Sequence, residues 1–169
     1  MVPQERRQLS GYVMTDSNIY TARDAWLADA TAAEAAYGHI STWKTGGVTD
    51  MANLFCAHEN NGDCAWQWND HAAPRTAAAS FNEDISAWDT SSVTNMRYMF
   101  KDASAIDQPV GAWRVDKVTH MGEMFYGAAS FDQPLGEWRL RAGCNTKNMF
   151  AHTNFRNSRP VKEPCCAVS

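Results

Sequence analysis

One interval, 25 residues, recurs through the second half of the sequence and constrains the fold more than any other feature. Trp88, Trp113 and Trp138 are separated by this interval. The same step relates further apolar positions: Phe81, Ile106 and Phe131; Ile85, Val110 and Leu135; Met99, Met124 and Met149; and Phe100, Phe125 and Phe150. A period of about 20–50 residues is the signature of repeat architectures, in which each unit buries its apolar face against its neighbours.

The repeats divide the chain into regions. An earlier copy contains Trp43, which precedes Trp88 by 45 residues, or one period plus an insertion of 20. The last copy is less regular, since Gly143 and Thr146 replace Val and Met, as expected of an end repeat. We predict a flexible tail at 1–16, an N-terminal helical cap at 17–39, a repeat region at 40–155 with an insertion loop at about 56–76, and a C-terminal tail at 156–169.

Within one repeat, two apolar patterns predict two elements. A helix is predicted where apolar residues have helical spacing and Thr90 can supply an N-cap: Val93, Met96, Met99, Phe100 and Ala103. Phe81 and Ile85 share one face of a predicted short strand. The fold class is therefore α/β, a right-handed, leucine-rich-repeat-like solenoid of about four to five repeats with parallel short strands.

The region before the repeats predicts helices. The segments 21–27 and 31–37 are rich in Ala, which has the highest helix propensity. Thr31 and Glu34 have the spacing of a capping box, and Gly38 follows as a terminator.

The repeat strings resemble a known family. They read Phe81-Asn-Glu-Asp-Ile85-Ser-Ala-Trp88-Asp-Thr-Ser-Ser-Val93-Thr-Asn-Met96-Arg-Tyr-Met99-Phe100, and Trp113 followed by Val118-Thr-His-Met121-Gly-Glu-Met124-Phe125. Over about residues 37–155 the chain resembles the BspA-like leucine-rich repeat surface proteins, with repeats of the mycoplasma-lipoprotein type. The resemblance implies a solenoid used for adhesion or protein binding at the cell surface, with no general enzymatic activity. Residues 1–10 are polar and have no apolar core of a secretory signal.

Charge and motif content narrow the function classes. The 15 Lys and Arg against 19 Asp and Glu give a net charge of −4 without a basic run, so nucleic-acid binding is not expected. Common catalytic and phosphate-binding motifs such as Gly-x-Ser-x-Gly and Gly-x-Gly-x-x-Gly are absent. We expect a non-catalytic module without a cofactor that recognises a protein or surface glycan along the solenoid face. The alternative is a structural accessory subunit of a large, membrane-associated assembly.

Two polar columns are candidates for the binding surface. Their members recur at the repeat step: Asn82, Asp107 and Asp132 in the first column, and Glu83, Gln108 and Gln133 in the second. Stacked beside the strands, they predict a protein-contact surface. Two alternatives stay open, a weak cation site with oxygen ligands and a hydrogen-bonded or solvated ladder.

The insertion holds residues that suggest cross-linking or contact. Cys56, His58, Cys64 and His71 could hold zinc, but the Cys-x7-Cys spacing fits no strong zinc pattern. A Cys56–Cys64 disulfide and two free thiols are the alternatives. Two further residues of the loop predict either an exposed aromatic contact site or packing on the solenoid edge: Trp66 and Trp68.

The C-terminal residues 165–169 also have more than one interpretation. Cys166-Ala-Val-Ser has the form of a prenylation box, and Cys165 could carry a second lipid, giving a stable membrane anchor. The family resemblance instead implies that Cys165 or Cys166 pairs with Cys144. The third alternative is no modification, and the odd count of five Cys leaves at least one unpaired in a monomer.

Overall fold

The computed structural model describes residues 11–57, 64 and 75–162. The described part contains two α-helices, α1 (Ile19–Ala28) and α2 (Ala30–Tyr37), and four short strands, β1 (Val13–Thr15), β2 (Lys44–Gly47), β3 (Arg139–Leu140) and β4 (Val161–Lys162). Strand β1 pairs with β2 and β3 with β4, both in parallel. Short 3-10 helices occupy Ile40–Thr42, Arg75–Ser80 and Val110–Ala112. No helix in these ranges is long and apolar enough to cross a membrane.

The two α-helices form the N-terminal cap. α1 buries Ile19, Ala22 and Trp26 against the stack. The N-cap of α2 is Asp29, whose carboxylate accepts a hydrogen bond of 3.1 Å from the Ala32 amide, so the predicted Thr31–Glu34 capping box is not the N-terminal cap. The C-cap of α2 is Gly38, whose φ of 72° lies in the left-handed region that glycine adopts easily.

Both chain ends are more regular than predicted. β1 lies inside the segment 1–16 that was predicted as a flexible tail, and its pairing with β2 adds a strand before the first repeat. β4 lies inside the predicted C-terminal tail and adds a strand after β3. The unpaired backbone at each end of a parallel stack favours this, because an added strand satisfies its hydrogen-bonding groups.

The central structure is a stack of four segments, which we call rungs 1 to 4: residues 48–57, 93–102, 118–127 and 143–152. Parallel bridges connect equivalent residues of successive rungs, from Asp50 to Asn95, His120 and Asn145. Between rungs 2 and 3, four amides of rung 2 donate to carbonyls of rung 3 at 2.7–3.1 Å. The pairs are Met96 to His120, Tyr98 to Gly122, Phe100 to Met124, and Asp102 to Tyr126. Equivalent sets of bonds join rung 1 to rung 2 and rung 3 to rung 4.

The helix predicted over 93–103 is not present, and this prediction is wrong. Tyr98 and Asp102 each have a φ of 58°, which a right-handed helix does not contain. The chain instead makes successive turns, one of which is closed by the Met99 amide donating to the Met96 carbonyl. Because the turns repeat about every three residues, they bury nearly the same apolar positions as a helix of 3.6 residues per turn.

The N-cap role expected of Thr90 and the strand expected at Phe81 and Ile85 are also wrong. The Thr90 hydroxyl donates to the Arg114 carbonyl at 2.9 Å and so joins neighbouring repeats. Residues 81–85 form no backbone ladder. The physical reason lies at the equivalent position of the following repeats, where Pro109 has no N–H to donate.

Two aromatic columns run through the core. The buried indole N–H groups of Trp88, Trp113 and Trp138 donate to carbonyls of the preceding repeat at 2.9, 3.2 and 3.1 Å. A second column stacks at centroid distances of 5.5–5.8 Å and comprises Phe55, Phe100, Phe125 and Phe150. Each indole therefore combines large apolar burial with a satisfied donor, which fixes the register between repeats.

The indole column yields a direct stability test. Replacing Trp113 by Ala removes a fully buried ring and should lower the free energy of unfolding by about 3–5 kcal/mol. Trp113→Phe keeps an aromatic ring but removes the indole N–H that donates to the Ile85 carbonyl, which still accepts from the Trp88 amide. The expected loss is therefore smaller, about 0.5–1.5 kcal/mol. Urea denaturation measures both, with the exposed Arg114→Ala as the neighbouring control. A Trp113→Ala protein as stable as the control would contradict the stacked core.

Candidate functional site

The first polar column joins neighbouring repeats through its side-chain oxygens. Asn82 Oδ1 accepts from the Asp107 amide and from Gln108 Nε2, both at 2.9 Å. One repeat later, Asp107 Oδ1 accepts from the Asp132 amide at 3.0 Å and from Gln133 Nε2 at 2.9 Å. These bonds replace the backbone ladder that residues 81–85 and their equivalents lack.

The column continues at Asp132. Its Oδ1 accepts from the amides of Arg156 at 2.7 Å and Asn157 at 3.2 Å. The Arg156 amide is the main cause that holds the pKa of the Asp132 carboxyl below its usual value. The predicted columns therefore form a hydrogen-bonded ladder, one of the alternatives left open from the sequence, in which one side-chain polar atom of every member except Glu83 bonds to a neighbouring repeat.

Glu83 differs from the rest of its column. Its side chain is exposed, and its Oε2 lies 3.9 Å from His39 Nε2. Gln108 and Gln133 use their side-chain amides in the ladder, whereas the carboxylate of Glu83 makes no such bond to a described residue. In the part of the chain that the structure describes, no group of three or more His, Cys, Asp or Glu side chains is arranged to hold a metal ion.

The cysteines separate into three groups. Cys56 and Cys64 are joined by a disulfide with a Cα–Cα distance of 6.1 Å, and Tyr98 forms a small buried cluster with them. Cys144 is buried and has no disulfide partner among the described residues, and burial raises the pKa of its thiol. The disulfide leaves neither thiol of the zinc alternative free to bind the metal. The remaining predicted residues lie outside the described ranges, so aromatic contact, lipidation and C-terminal bridging stay predictions: His58, Trp66, Trp68, His71, Cys165 and Cys166.

A third column, which the sequence reasoning missed, is exposed along the side of the stack. It comprises the residue after each repeat Trp, and we call it the charged column: Lys44, Asp89, Arg114 and Arg139. All four side chains are exposed, although their neighbours Trp43 and Trp88 are buried. The signal was available in the sequence, because every residue that follows a repeat Trp is charged.

The charged column keeps much of its capacity for outside contacts. Arg114 Nε lies 3.4 Å from Asp116 Oδ1, an exposed pair of the kind worth about 0–1 kcal/mol. The Asp89 carboxylate accepts hydrogen bonds from the hydroxyl and the amide of Ser91. These two bonds are the main causes that lower the pKa of the Asp89 carboxyl. Asp89 is therefore ionised at neutral pH. The column presents one negative and three positive side chains in fixed order along the stack.

Comparison with known proteins identifies the family. The family model described as "Mycoplasma protein of unknown function, DUF285" matches residues 27–73 and 72–162. The chain belongs to this family. The matched residues extend from the end of α1 to β4 and include all four rungs. No curated protein and no solved structure matches the chain.

The ladder predicts how Asp107 tolerates substitution. Asp107→Ala removes the side-chain acceptor of the Asp132 amide and one of the two acceptors of Gln133, which keeps the Asp107 carbonyl, so the free energy of unfolding should fall by about 1–3 kcal/mol. Asp107→Asn keeps an acceptor oxygen in the same place, as Asn82 does one repeat earlier, and should remain within about 1 kcal/mol of the wild type. Thermal and urea unfolding distinguish the two. Equal stability of Asp107→Ala and Asp107→Asn would show that the ladder does not join the repeats.

Proposed function

We propose that the protein is a non-catalytic binding module, a right-handed leucine-rich-repeat-like solenoid of the BspA-like type that recognises a protein partner along its charged column. The observation that carries the proposal is the contrast between two adjacent columns. The buried residue is Trp at all four repeats, whereas the exposed residue beside it changes from Lys to Asp to Arg. A repeated core with a changing exposed column is typical of repeat proteins that bind macromolecules.

The stack supports the solenoid part of the proposal. Parallel pairing connects Asn95, His120 and Asn145 at intervals of 25 residues, and the intervening chain returns to the same position in each repeat. The family match over most of the chain is consistent with a repeat protein of the mycoplasma type. The motif around Trp88, Val93 and Met96 provides the resemblance to BspA-like proteins, which implies adhesion or protein binding.

The dimensions of the charged column favour a macromolecular partner. Adjacent strands of a sheet lie about 4.8 Å apart, so four charges on successive repeats extend over about 15 Å. A single exposed ion pair contributes little, and recognition therefore requires several of these charges to be engaged together. The order of the charges gives specificity. A matching partner places a positive group opposite Asp89, between negative groups opposite Lys44 and Arg114.

Cross-linking tests the proposal at the column itself. A photoreactive benzoylphenylalanine at position 114 should form one saturable adduct in extracts of the source cells, and excess wild-type protein should compete with it. Once that partner is purified, Arg114→Glu combined with Arg139→Glu should weaken its affinity about tenfold or more, because two favourable pairs become repulsive.

The matched control changes the same charge elsewhere. Arg97→Glu combined with Lys147→Glu alters two exposed basic residues of the rungs and should leave the affinity within about twofold. Equal weakening by both double variants would contradict recognition at the charged column. A chain that unfolds when purified alone and becomes folded only within a complex would favour the accessory-subunit alternative.

A further inference from the structure

Four peptide groups of rung 2 are aligned in one direction, while the Thr94 amide donates the opposite way, to the Thr49 carbonyl of rung 1. In rung 2, the Met99 carbonyl accepts from Phe55 of rung 1, while the Phe100 amide, part of the same peptide group, donates to Met124 of rung 3. The same holds for three further peptide groups of the rung, at 95–96, 97–98 and 101–102. Aligned peptide dipoles add, as they do in an α-helix. The stack therefore has a negative end at rung 1 and a positive end at rung 4.

Donors from α1 cap the negative end. The Tyr20 hydroxyl donates to the Ala52 carbonyl at 2.8 Å, and the Arg23 guanidinium donates to the Leu54 carbonyl. Both carbonyls belong to the outward-facing row of rung 1. Burial is the main cause that raises the pKa of the Tyr20 hydroxyl, and the negative charge of Asp50 raises it further. The hydroxyl therefore keeps the proton that it donates. A positive side chain at the negative end is the favourable arrangement.

The positive end has no equivalent cap among the described residues. The amides of Thr146, Asn148, Phe150 and His152 occupy the positions whose counterparts in rungs 2 and 3 donate to the next rung. No described residue accepts a hydrogen bond from any of the four. They form a row of donors at alternate residues, and the equivalent rows of rungs 2 and 3 are met by the carbonyls of a chain in the same turn conformation.

A cavity and an unusual charge distribution coincide with this row. The cavity has a volume of about 330 Å³ and is lined by Thr146, Asn148, Phe150, Arg159 and Lys162, among others. The segment 139–162 contains six Lys and Arg residues and no Asp or Glu, in a chain whose net charge is −4. The Arg159 guanidinium carbon lies 5.4 Å from the Phe150 ring centroid, which holds it beside the cavity.

We propose that the exposed end of rung 4 binds an acidic peptide segment of a partner protein, which adopts the turn conformation of the rungs and adds to the stack as a further rung. Peptide carbonyls accept from the amide row, and carboxylates pair with Arg159 and Lys162. The proposal rests on the proposed function as a binding module and adds a second surface at the end of the stack. Basic side chains at the positive end of aligned dipoles are unfavourable alone, and a bound anionic group removes this repulsion.

The geometry distinguishes an acidic peptide from other anions. A lone phosphate or carboxylate engages one or two donors, whereas four amides at alternate residues are matched by the carbonyls of a peptide folded in the same turns as the rungs. The apolar atoms of Met149 and Phe150 in the cavity lining provide a place for a side chain between the acidic ones. Main-chain bonds then give affinity, and the basic residues select acidic sequences.

Peptide binding to the full-length protein tests the proposal. The probe is a fluorescein-labelled peptide of alternating Glu and Thr, measured by fluorescence anisotropy at about 150 mM salt, where charges beyond about 8 Å are screened. Saturable binding is expected, with amide NMR shifts at Thr146, Asn148 and Phe150 and little change at Tyr98 and Glu123. Arg159→Glu combined with Lys162→Glu should weaken binding about tenfold or more.

Two controls separate this site from general charge attraction. Arg114→Glu combined with Lys117→Glu makes the same charge change on the side of the stack and should alter peptide affinity less than about twofold. If the double Glu variant does not fold, Arg159→Gln combined with Lys162→Gln replaces it. Thermal unfolding checks that this milder variant is folded. Since Arg114 belongs to the charged column, loss of partner binding with retained peptide binding separates the two surfaces.

Three outcomes would overturn the proposal. They are no saturable peptide binding, equal weakening by the end and side variants, and shifts outside rung 4. A polythymidine oligonucleotide or vesicles containing phosphatidylserine that occupy the same amides more tightly than the peptide would also overturn the choice of an acidic peptide. A peptide of alternating Lys and Thr should not bind.

Discussion

The hydrogen bond from alternate amides of one rung to the carbonyls of the next is the interaction on which the rest of the structure depends. It sets the step of 25 residues, since each rung must return to the same position above its neighbour. With that register fixed, Trp88, Trp113 and Trp138 reach carbonyls of the preceding repeat, and the Phe rings stack. Left-handed residues such as Tyr98 and Glu123 are the local cost, about 1–2 kcal/mol for each non-glycine residue.

The sequence predicted the buried columns because a shared period needs no knowledge of local conformation. It did not predict the local elements correctly. Over ten residues, apolar spacing cannot distinguish successive turns from a helix. Turns that repeat every three residues bury nearly the same positions as a helix with 3.6 residues per turn. The left-handed Tyr98 was not predictable, because aromatic residues rarely adopt this conformation without tertiary support. The role of Asn82 stayed open for a similar reason, since its partners depend on the distance between repeats.

The same alignment of peptide groups gives the stack a polarity that bears on function. Tyr20 and Arg23 satisfy carbonyls at one end, whereas the amide row of rung 4 faces basic side chains at the other. The polar columns hydrogen-bond between repeats, and their role as a binding surface stays a prediction. The charged column and the end of the stack are the surfaces proposed for recognition. Both surfaces follow from the repeats. The charged column varies from repeat to repeat beside a constant Trp, and the amide row is exposed because rung 4 is the last rung of the stack.

Amide hydrogen exchange at matched positions tests the central claim most directly. The amides of Phe100 and Phe125 donate to the next rung at 2.9 and 3.0 Å, whereas the equivalent Phe150 amide has no acceptor among the described residues. In the free protein, Phe100 and Phe125 should exchange only with opening of the stack, and Phe150 should exchange faster by about 100-fold or more. Equal exchange rates at Phe125 and Phe150, whether both slow or both fast, would contradict the directional ladder between rungs.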